Sequence, residues 1–381
     1  MKVYFDNAAT TPIDEEVIDA MLPYMREHYG NPSSIHAFGR TTRSAIEQAR
    51  RTVASLLHVS PAEIFFTSGG TEADNMAIDS TIKARNIQTV ISSPTEHHAV
   101  LHTLEELAKS GAINLHLLDV DALGYPDIQQ LEELLKKHKG AFVSLMHANN
   151  ETGTRIRLKE VARLVKDNDG IYHADTVQTM GHYRINLQEV PVDMINGAAH
   201  KFHGPKGVGF IFIRSGMQIS PFIHGGSQER NMRGGTENLY GIIGLAKALE
   251  IAHRDMDAHQ AHIMGLKNRM VESLREKIAG VQFNGDICEK SLYTVLNVSF
   301  PAGEAGEMLL FNLDIAGIAA SGGSACSSGS EIGSHVLRAM KVEPQRANVR
   351  FSFSRFNTID EVDYTVERLQ ELFKPATLSQ A

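Results

Sequence analysis

Short apolar segments alternate with segments of helical periodicity between residues 64 and 213, and this alternation constrains the fold more than any other feature of the chain. Strands that lack polar alternation are typical of a parallel sheet whose two faces are both covered by helices. The sequence therefore predicts an α/β fold with a mostly parallel, seven-stranded sheet. Ligands in such folds bind beyond the carboxyl ends of the strands. The predicted strands are residues 64–67, 89–92, 113–118, 141–146, 171–174, 192–198 and 207–213.

The length of the chain and a change of pattern near residue 255 predict two domains. With 381 residues, the chain exceeds what one hydrophobic core usually organises. A polar, glycine-rich loop at 225–237 precedes a long helical stretch, after which strands and helices follow a different arrangement. We expect a large domain at residues 13–254 and a smaller α+β domain formed by residues 1–12 and 255–381. The elements expected in the smaller domain are strands at 294–300 and 349–354 and helices at 304–313 and 358–373.

The first helix has clear sequence signals for its start. Thr11 is the expected N-cap, Pro12 stands at the first helical position, and Asp14 follows the N-cap by three residues. Apolar residues then recur at helical spacing as far as Met25. A second helix is expected at residues 41–57.

Composition argues against several classes of protein. The formal net charge is -8 and no basic run stands out, so neither nucleic acid nor an anionic membrane is an expected partner. No stretch approaches the roughly 20 apolar residues of a membrane-spanning helix. Two cysteines are too few for a disulfide framework, which favours a reducing cytoplasm. The 18 histidines show no metal-binding spacing, and no metal is expected.

Residues 68–72 (Ser-Gly-Gly-Thr-Glu) join a predicted strand to a predicted helix. Glycine lets the backbone approach an anion, the start of a helix offers unpaired N–H groups, and Thr71 adds a hydroxyl. This turn indicates a phosphate site that includes Gly70 and Thr71. Many such turns are glycine-rich for steric reasons alone, and that alternative stays open.

Two polar residues directly follow predicted strands. A carboxylate at Asp175 would hold a heterocyclic nitrogen in its protonated form, or it would cap the next helix. Lys201 lies between His200 and His203 after a strand of small residues. A lysine at such a place becomes nucleophilic when desolvation lowers its pKa. The alternative is a solvated basic turn, as expected for Lys206.

Cys326 lies within the Ser/Gly stretch at residues 321–330. Reactive cysteines are accessible, whereas structural ones are usually packed in a core. From the middle of this stretch each arm spans about 15–18 Å when extended. We expect a mobile, reactive thiol at Cys326 and an incidental one at Cys288. His97 and His98 are typical of surface residues at a helix start.

These segments together resemble the cysteine desulfurases, a group of class-V aminotransferases among the fold-type I pyridoxal-phosphate transferases. The resemblance runs nearly end to end, and it depends on the joint order and spacing of many short motifs. The matching segments are residues 6–11, 31–36, 67–73, 95–97, 149–153, 173–175, 200–201, 233–236 and 323–329.

The resemblance implies pyridoxal 5'-phosphate as cofactor and assigns the residues around its ring. Lys201 would hold the cofactor covalently, and Asp175 would pair with its ring nitrogen. His97 would stack on the ring and is the candidate for proton handling. Asn150 and Gln178 would lie near the phenolic oxygen of the ring or near the substrate.

The phosphate and the substrate would be held by a second set of residues. Thr71 and His200 would bind the phosphate, with Thr236 supplied by a neighbouring subunit, which implies a homodimer. Arg350 would take the substrate carboxylate, a task that suits a bidentate guanidinium. One departure concerns the phosphate: Ala198 stands where the family usually has a serine, so one contact is expected to be missing.

The implied function is conversion of L-cysteine to L-alanine, with the sulfur carried as a persulfide on Cys326 to an acceptor protein such as an iron–sulfur scaffold. Two alternatives use the same fold, a selenocysteine lyase and an aminotransferase, and Cys326 argues against the aminotransferase because transamination needs no mobile thiol. A third alternative is a non-catalytic protein that binds the cofactor. Ala198 favours it, whereas Lys201, Asp175, Arg350 and Cys326 oppose it.

Overall fold

The computed structural model describes residues 1–288, 290–322 and 333–374. The helices are α1 Glu15–Arg26, α2 Ala37–Leu56, α3 Gly70–Arg85, α4 His98–Lys109, α5 Ile128–Lys137, α6 Leu158–Asp167, α7 Leu239–Arg254, α8 Met256–Lys277, α9 Glu304–Glu307, α10 Leu309–Ile315, α11 His335–Ala339 and α12 Ile359–Leu372. The strands are β1 Val3–Tyr4, β2 Ile64–Thr67, β3 Thr89–Ser92, β4 Asn114–Leu117, β5 Phe142–Ser144, β6 Ile171–Ala174, β7 Met194–Ala198, β8 Gly209–Ile213, β9 Gln282–Asn284, β10 Val295–Phe300, β11 Ile318–Ala319 and β12 Ala347–Ser352.

The large sheet has seven strands in the order β2-β8-β7-β6-β5-β3-β4. Strands β3 to β7 are mutually parallel, and β8 runs antiparallel to both β7 and β2. Because β8 is antiparallel to both β2 and β7, these two strands run in the same direction. The carboxyl ends of the six strands β2 to β7 therefore lie at one edge of the sheet. The predicted α/β class and all seven predicted strands are confirmed, with each observed end within two residues of the predicted one.

Alternate residues of the strands pack into two apolar layers on opposite faces of the sheet. Ile64 and Phe66 of β2 pack with residues from α1, α2, α5, α6 and α7. Phe65, between them, packs with residues from α3 and α4. Side chains of successive strand residues point to opposite faces, so this pattern covers both sides of the sheet. The result is a three-layer helix–sheet–helix arrangement.

A further core forms around the three-stranded sheet β12-β10-β9. Residues of α8, α10 and α12 pack on it, together with Val3 and Phe5 from the N-terminal arm. β1 of this arm pairs in parallel with β11. We propose that this core is the expected smaller domain, with its boundary between α7 and α8 at Asp255.

The N-terminal arm is attached to the segment that follows β7. The N–H and hydroxyl of Thr11 both donate to the carbonyl of His200 at 2.9 Å, and its hydroxyl accepts from the N–H of His203 at 2.8 Å. Because Thr11 makes these contacts, it does not cap α1, and the predicted start was wrong. Asp14 is the N-cap and accepts from the N–H of Glu16 at 2.8 Å.

The second helix begins earlier than predicted. α2 starts at Ala37, four residues before the expected position, because the ring of His36 accepts from the N–H of Gly39 at 3.3 Å and caps it. The sequence signal was missed because histidine is an uncommon N-cap. Among the residues that the structure describes, no helix combines the length and the apolar character needed to cross a membrane.

Candidate active site

A cavity of about 240 Å³ opens at the sheet edge where the carboxyl ends of β2 to β7 lie. Most of the residues nominated from the sequence line it, namely Gly70, Thr71, His97, Asn150, Asp175, Gln178, His200, Lys201 and Arg350. Thr236 does not: it is exposed and lines a separate small hollow with Ser68 and Arg233. Cys326 lies outside the described residues.

Lys201 ends the short helical turn Ala199–Lys201 that follows β7. Its Nζ donates to the carbonyls of Ala8 at 2.6 Å and of Ala9 at 2.9 Å. These two acceptors come from the N-terminal arm, which holds the amine at the cavity wall. Lys206 is exposed and does not line the cavity. The structure thus favours Lys201 over Lys206 as a reactive amine.

Asp175 follows β6 directly and is 6% exposed. One carboxylate oxygen accepts from the N–H of Val177 at 2.9 Å and closes a turn, and no helix begins there. The alternative that Asp175 caps a helix is therefore wrong. Burial raises its pKa, while the N–H of Val177 and the charge of Lys201 act in the opposite direction. A cation placed against this carboxylate would stabilise its ionised form.

His97 is the N-cap of α4. Its Nδ1 accepts from the N–H of Ala99 at 3.1 Å, so Nδ1 carries no proton. Burial, followed by the charge of Lys201, lowers the pKa of His97 to about 4. The ring is consequently neutral near pH 7, with its proton on Nε2. A neutral ring of this form is suited to stacking and to donating a hydrogen bond, and it is a weak base.

The start of α3 provides a place for an anion. α3 is 16 residues long and begins at Gly70, and no side chain of a described residue caps its first N–H groups. A Cβ at Gly70 would lie 2.7 Å from Cγ2 of Val177, so packing against the turn after β6 requires glycine. Thr71 and His200 border the same part of the cavity wall. Unpaired N–H groups at a helix start favour phosphate binding.

Arg350 lies on β12 and is 1% exposed. Its Nη1 donates to the carbonyl of Asn150 at 3.1 Å, and its Nη2 donates to the carboxylate of Asp6 at 2.7 Å. Among the described residues its Nε has no hydrogen-bond partner. A buried guanidinium with donor capacity left at a cavity wall is suited to a carboxylate ligand.

Two features of the site were missed from the sequence. The carbonyl of Ala8 accepts both from Lys201 and from the side-chain amide of Gln178 at 3.1 Å, and a backbone acceptor has no sequence signature. Asp74 of α3 also lines the cavity, is 1% exposed and accepts from Asn196 at 2.6 Å. Burial and the nearby acids raise its pKa well above the usual range. Burial therefore favours the protonated form of Asp74.

The residues present fit pyridoxal phosphate. Its aldehyde requires an amine, which Lys201 would supply, and its ring nitrogen requires a buried acid, which Asp175 would supply. Its phosphate matches the free N–H groups at the start of α3. A bound amino acid adds a carboxylate, for which Arg350 has donor capacity. Ala198 is 1% exposed at this wall and offers no hydroxyl, as expected from the sequence.

Comparison with known proteins places the chain in a family. Residues 3–365 match the family described as Aminotransferase class-V. The chain is 43% identical over 377 residues to "Cysteine desulfurase IscS" of Dictyoglomus turgidum, covering 98% of this chain and 95% of that protein. It is 42% identical to "Cysteine desulfurase IscS" of Methanosarcina thermophila, covering 97% of this chain and 91% of that one.

Comparison with solved structures supports the same family. A "NifS-like protein" superposes with a TM-score of 0.90 at 38% identity, over 98% of this chain and 99% of that one. "SspA in complex with cysteine" gives a TM-score of 0.80 at 29% identity, over 94% and 100% of the two chains. The resemblance inferred from the motifs is confirmed. The chain belongs to the class-V aminotransferase family and, within it, to the cysteine desulfurases.

Proposed function

We propose that this protein is a pyridoxal-phosphate-dependent cysteine desulfurase that converts L-cysteine to L-alanine and carries the sulfur as a persulfide on Cys326. The observation that supports this most is the joint presence of Lys201, Asp175 and Arg350 around one cavity. These three groups match the aldehyde, the ring nitrogen and the substrate carboxylate. The named activity of the similar proteins supports the same conclusion.

The cofactor, when bound, supplies an electron sink that makes the Cα proton of an attached amino acid acidic. Asp175 would hold the proton on the ring nitrogen, because its carboxylate is buried and is stabilised by an opposite charge. Lys201, once displaced by the substrate amine, would take the proton from Cα and return it. Arg350 would orient the substrate through its carboxylate. His97 would cover the ring and donate through Nε2.

Cys326 would act in the second half of the reaction. Its thiolate attacks the substrate sulfur, so that an S–S bond forms, the Cβ–S bond breaks, and the electron pair released to carbon takes up a proton to give alanine. The described residues that flank this segment support such a role. Ser321 exchanges two backbone hydrogen bonds with Arg350, at 2.6 and 3.2 Å. Ser334, on the other side, donates to the carboxylate of Glu151, next to Asn150.

We propose that the active protein is a homodimer in which Thr236 reaches the phosphate of the neighbouring subunit. Thr236 is exposed and lies away from its own cavity. An apolar surface near the start of α2 is available to a second copy, since Tyr29, Ile35 and Phe38 are 71%, 91% and 57% exposed. The 225–237 loop adjoins this surface through a contact of Gln228 with Ser33 at 3.4 Å. Sedimentation of the full chain tests the proposal, and a monomer at micromolar concentration would contradict it.

The proposed acceptor of the sulfur is an iron–sulfur scaffold protein, and the proposed location is the cytoplasm. The acceptor is suggested by the long Ser/Gly segment that carries Cys326. Labelled sulfur from cysteine should move from Cys326 to a purified scaffold protein. Retention of the label on Cys326 in the presence of the scaffold would argue against this acceptor.

The decisive experiment supplies cysteine to the yellow holoprotein and measures alanine and protein-bound persulfide together. Equal amounts of both in a single turnover, without an acceptor, are expected. Alanine without a persulfide would instead support a lyase. Release of a keto acid would support an aminotransferase.

A further inference from the structure

A carboxylate lies in the first turn of the helix whose start is the proposed place for the phosphate. Glu72 is the third residue of α3, and its Oε2 accepts from the N–H of Ser68 at 2.9 Å. Its side chain is 11% exposed. An acid in the first turn stabilises a helix, because the start of a helix carries a partial positive charge. The same acid would repel an anion that binds there, so its charge requires compensation.

Arg233 supplies this compensation. Its Nε donates to Oε1 of Glu72 at 2.7 Å, and its Nη2 donates to Oε2 of Glu72 at 3.1 Å. Burial raises the pKa of Glu72, but the hydrogen bonds from Arg233 and Ser68 outweigh burial, so the pKa lies below its usual value. The carboxylate is therefore ionised near pH 7 and is paired with a cation through a bidentate contact.

The glycine-rich loop that carries Arg233 is anchored to the edge of the large sheet. The carboxylate of Glu229 accepts from the guanidinium of Arg50 at 2.7 and 2.8 Å. It also accepts from the N–H of Phe66 at 2.8 Å. Phe66 belongs to β2, which is the outer strand of the sheet and comes directly before the turn that leads to α3. The anchored loop thus holds Arg233 beside the start of α3.

The cavity offers little other positive charge to a phosphate at this place. Among the described residues that line it, Lys201 and Arg350 are the cations. Lys201 would be joined to the aldehyde, and Arg350 is paired with Asp6 at the proposed substrate end. Burial, followed by the charge of Lys201, lowers the pKa of His200 to about 4, so its ring is neutral near pH 7. An uncompensated charge on Glu72 would therefore weaken phosphate binding.

We propose that Arg233 is a positioning residue for the cofactor phosphate and that it acts through Glu72, whose charge it offsets and whose carboxylate it holds against the N–H of Ser68. This inference rests on the proposed function, which requires the cofactor. It predicts that the two charges of the pair affect phosphate binding in opposite directions. A pair that only stabilised the fold would weaken binding whichever partner is removed.

The test measures the affinity of the cofactor-free full chain for pyridoxal phosphate and for pyridoxal, which has the same ring and aldehyde without the phosphate. Arg233→Gln should weaken binding of pyridoxal phosphate about 5- to 30-fold, because one uncompensated charge then faces a doubly charged anion, whereas the affinity for pyridoxal should change by less than about 2-fold. The loss should shrink between about 0.05 M and about 0.5 M salt, because salt screens the repulsion.

Glu72→Gln removes the acid and keeps an oxygen that accepts from the N–H of Ser68. It should bind pyridoxal phosphate as tightly as the parent or up to about 10-fold more tightly, because the charge of Arg233 is no longer offset by Glu72. The double variant should return to within about 3-fold of the parent. This reversal separates an effect of charge from a displacement of Thr236 on the same loop, which Glu72→Gln would not repair.

Arg269→Gln is the matched control. Arg269 makes the same bidentate contact with Asp363, at 2.8 and 3.1 Å, between α8 and α12 and outside the cavity. It should leave both affinities unchanged. Thermal unfolding of each variant shows whether it is folded. If Arg233→Gln does not fold, Glu72→Gln carries the test, since a weaker affinity for pyridoxal phosphate in that variant contradicts the inference by itself.

Equal weakening of pyridoxal phosphate and pyridoxal in Arg233→Gln, or no weakening of either, would overturn the inference. Additive losses in the double variant would do the same. A parent that binds pyridoxal phosphate but forms neither alanine nor persulfide from cysteine would instead overturn the proposed function.

Discussion

The guanidinium of Arg350 lies 2.7 Å from the carboxylate of Asp6, which is 344 residues away in the sequence. Asp6 offsets the charge of a cation that is almost fully buried, and the pair leaves the Nε of Arg350 available at the cavity wall. Removing one partner of a buried pair leaves an uncompensated charge and typically costs about 3–5 kcal/mol. The N-terminal arm is thus a part of the proposed substrate site as well as of the smaller core.

Arg350→Lys should raise KM for cysteine about 10- to 100-fold with a smaller change in kcat, because an ammonium can replace only one of two guanidinium donors and the lost one is worth about 1.5–3 kcal/mol to a charged group. Steady-state kinetics of alanine formation provide the measurement. Arg346→Lys is the control, since Arg346 binds Ser299 and Gly280 and does not line the cavity. An unchanged KM in Arg350→Lys would assign the substrate carboxylate to another residue.

Lys201→Ala should abolish turnover and the visible absorbance of the covalently held cofactor. Lys206→Ala should retain both, because Lys206 is exposed and outside the cavity. Reduction with borohydride followed by peptide mapping locates the modified lysine. Labelling of Lys206 in the parent protein would contradict the assignment.

Asp74 and Asp175 should respond differently to replacement by asparagine. The protonated form of Asp74 is favoured in the folded protein, because burial and the neighbouring acids raise its pKa well above the usual range. A folded pKa above the unfolded value costs stability that grows as the pH rises, at about 1.4 kcal/mol per pH unit between the two values. Asp74→Asn should therefore be at least as stable as the parent at pH 8, with a flatter dependence of Tm on pH.

Asp175→Asn should retain the fold but lower turnover by at least about 100-fold, since an amide no longer holds the ring nitrogen in its protonated form, the role assigned to this carboxylate. Thermal unfolding measures the stability of Asp74→Asn and Asp175→Asn, and single-turnover kinetics measure their turnover. Equal losses of turnover in Asp74→Asn and Asp175→Asn would show that the two acids share the role.

Ala198→Ser should have opposite effects without and with the cofactor. The added hydroxyl is buried at the cavity wall, and in the apoprotein an unpaired buried hydroxyl costs about 1–3 kcal/mol. With phosphate present, a hydrogen bond to a charged group returns about 1.5–3 kcal/mol. The variant should show a lower apoprotein Tm and slower loss of cofactor on dialysis. A lower Tm with faster cofactor loss would indicate that the site already compensates for the missing hydroxyl.

Cys326→Ser should bind the cofactor and change its spectrum with cysteine, yet form no persulfide and almost no alanine, because a serine oxygen is a weak nucleophile toward sulfur. Cys288→Ser should resemble the parent. Cys288 is exposed, and its thiol is held in its protonated form by Asp286, which raises its pKa. Near-normal alanine formation with persulfide in Cys326→Ser would exclude the proposed route.

The strands of the large sheet could be predicted from the sequence because each one is marked by a local run of residues. Most of the buried strands are short segments rich in apolar residues, and β2 and β6 match their predicted bounds to the residue. The start of α1 was wrong because Thr11 makes long-range contacts with His200 and His203 in place of capping the helix. Asp74 was missed because an acid within a helix usually faces solvent. Its burial follows from packing that no local pattern encodes.

The contacts of residues 6–9 with Lys201 and Arg350 also set an order of events during synthesis. Residues 6–9 are made long before their partners, so the arm meets Lys201 only after residue 201 has emerged from the ribosome and Arg350 only after residue 350 has emerged. β1 likewise pairs only after β11, at residues 318–319, has been made. A nascent chain therefore completes the Lys201 side of the cavity before the Arg350 side.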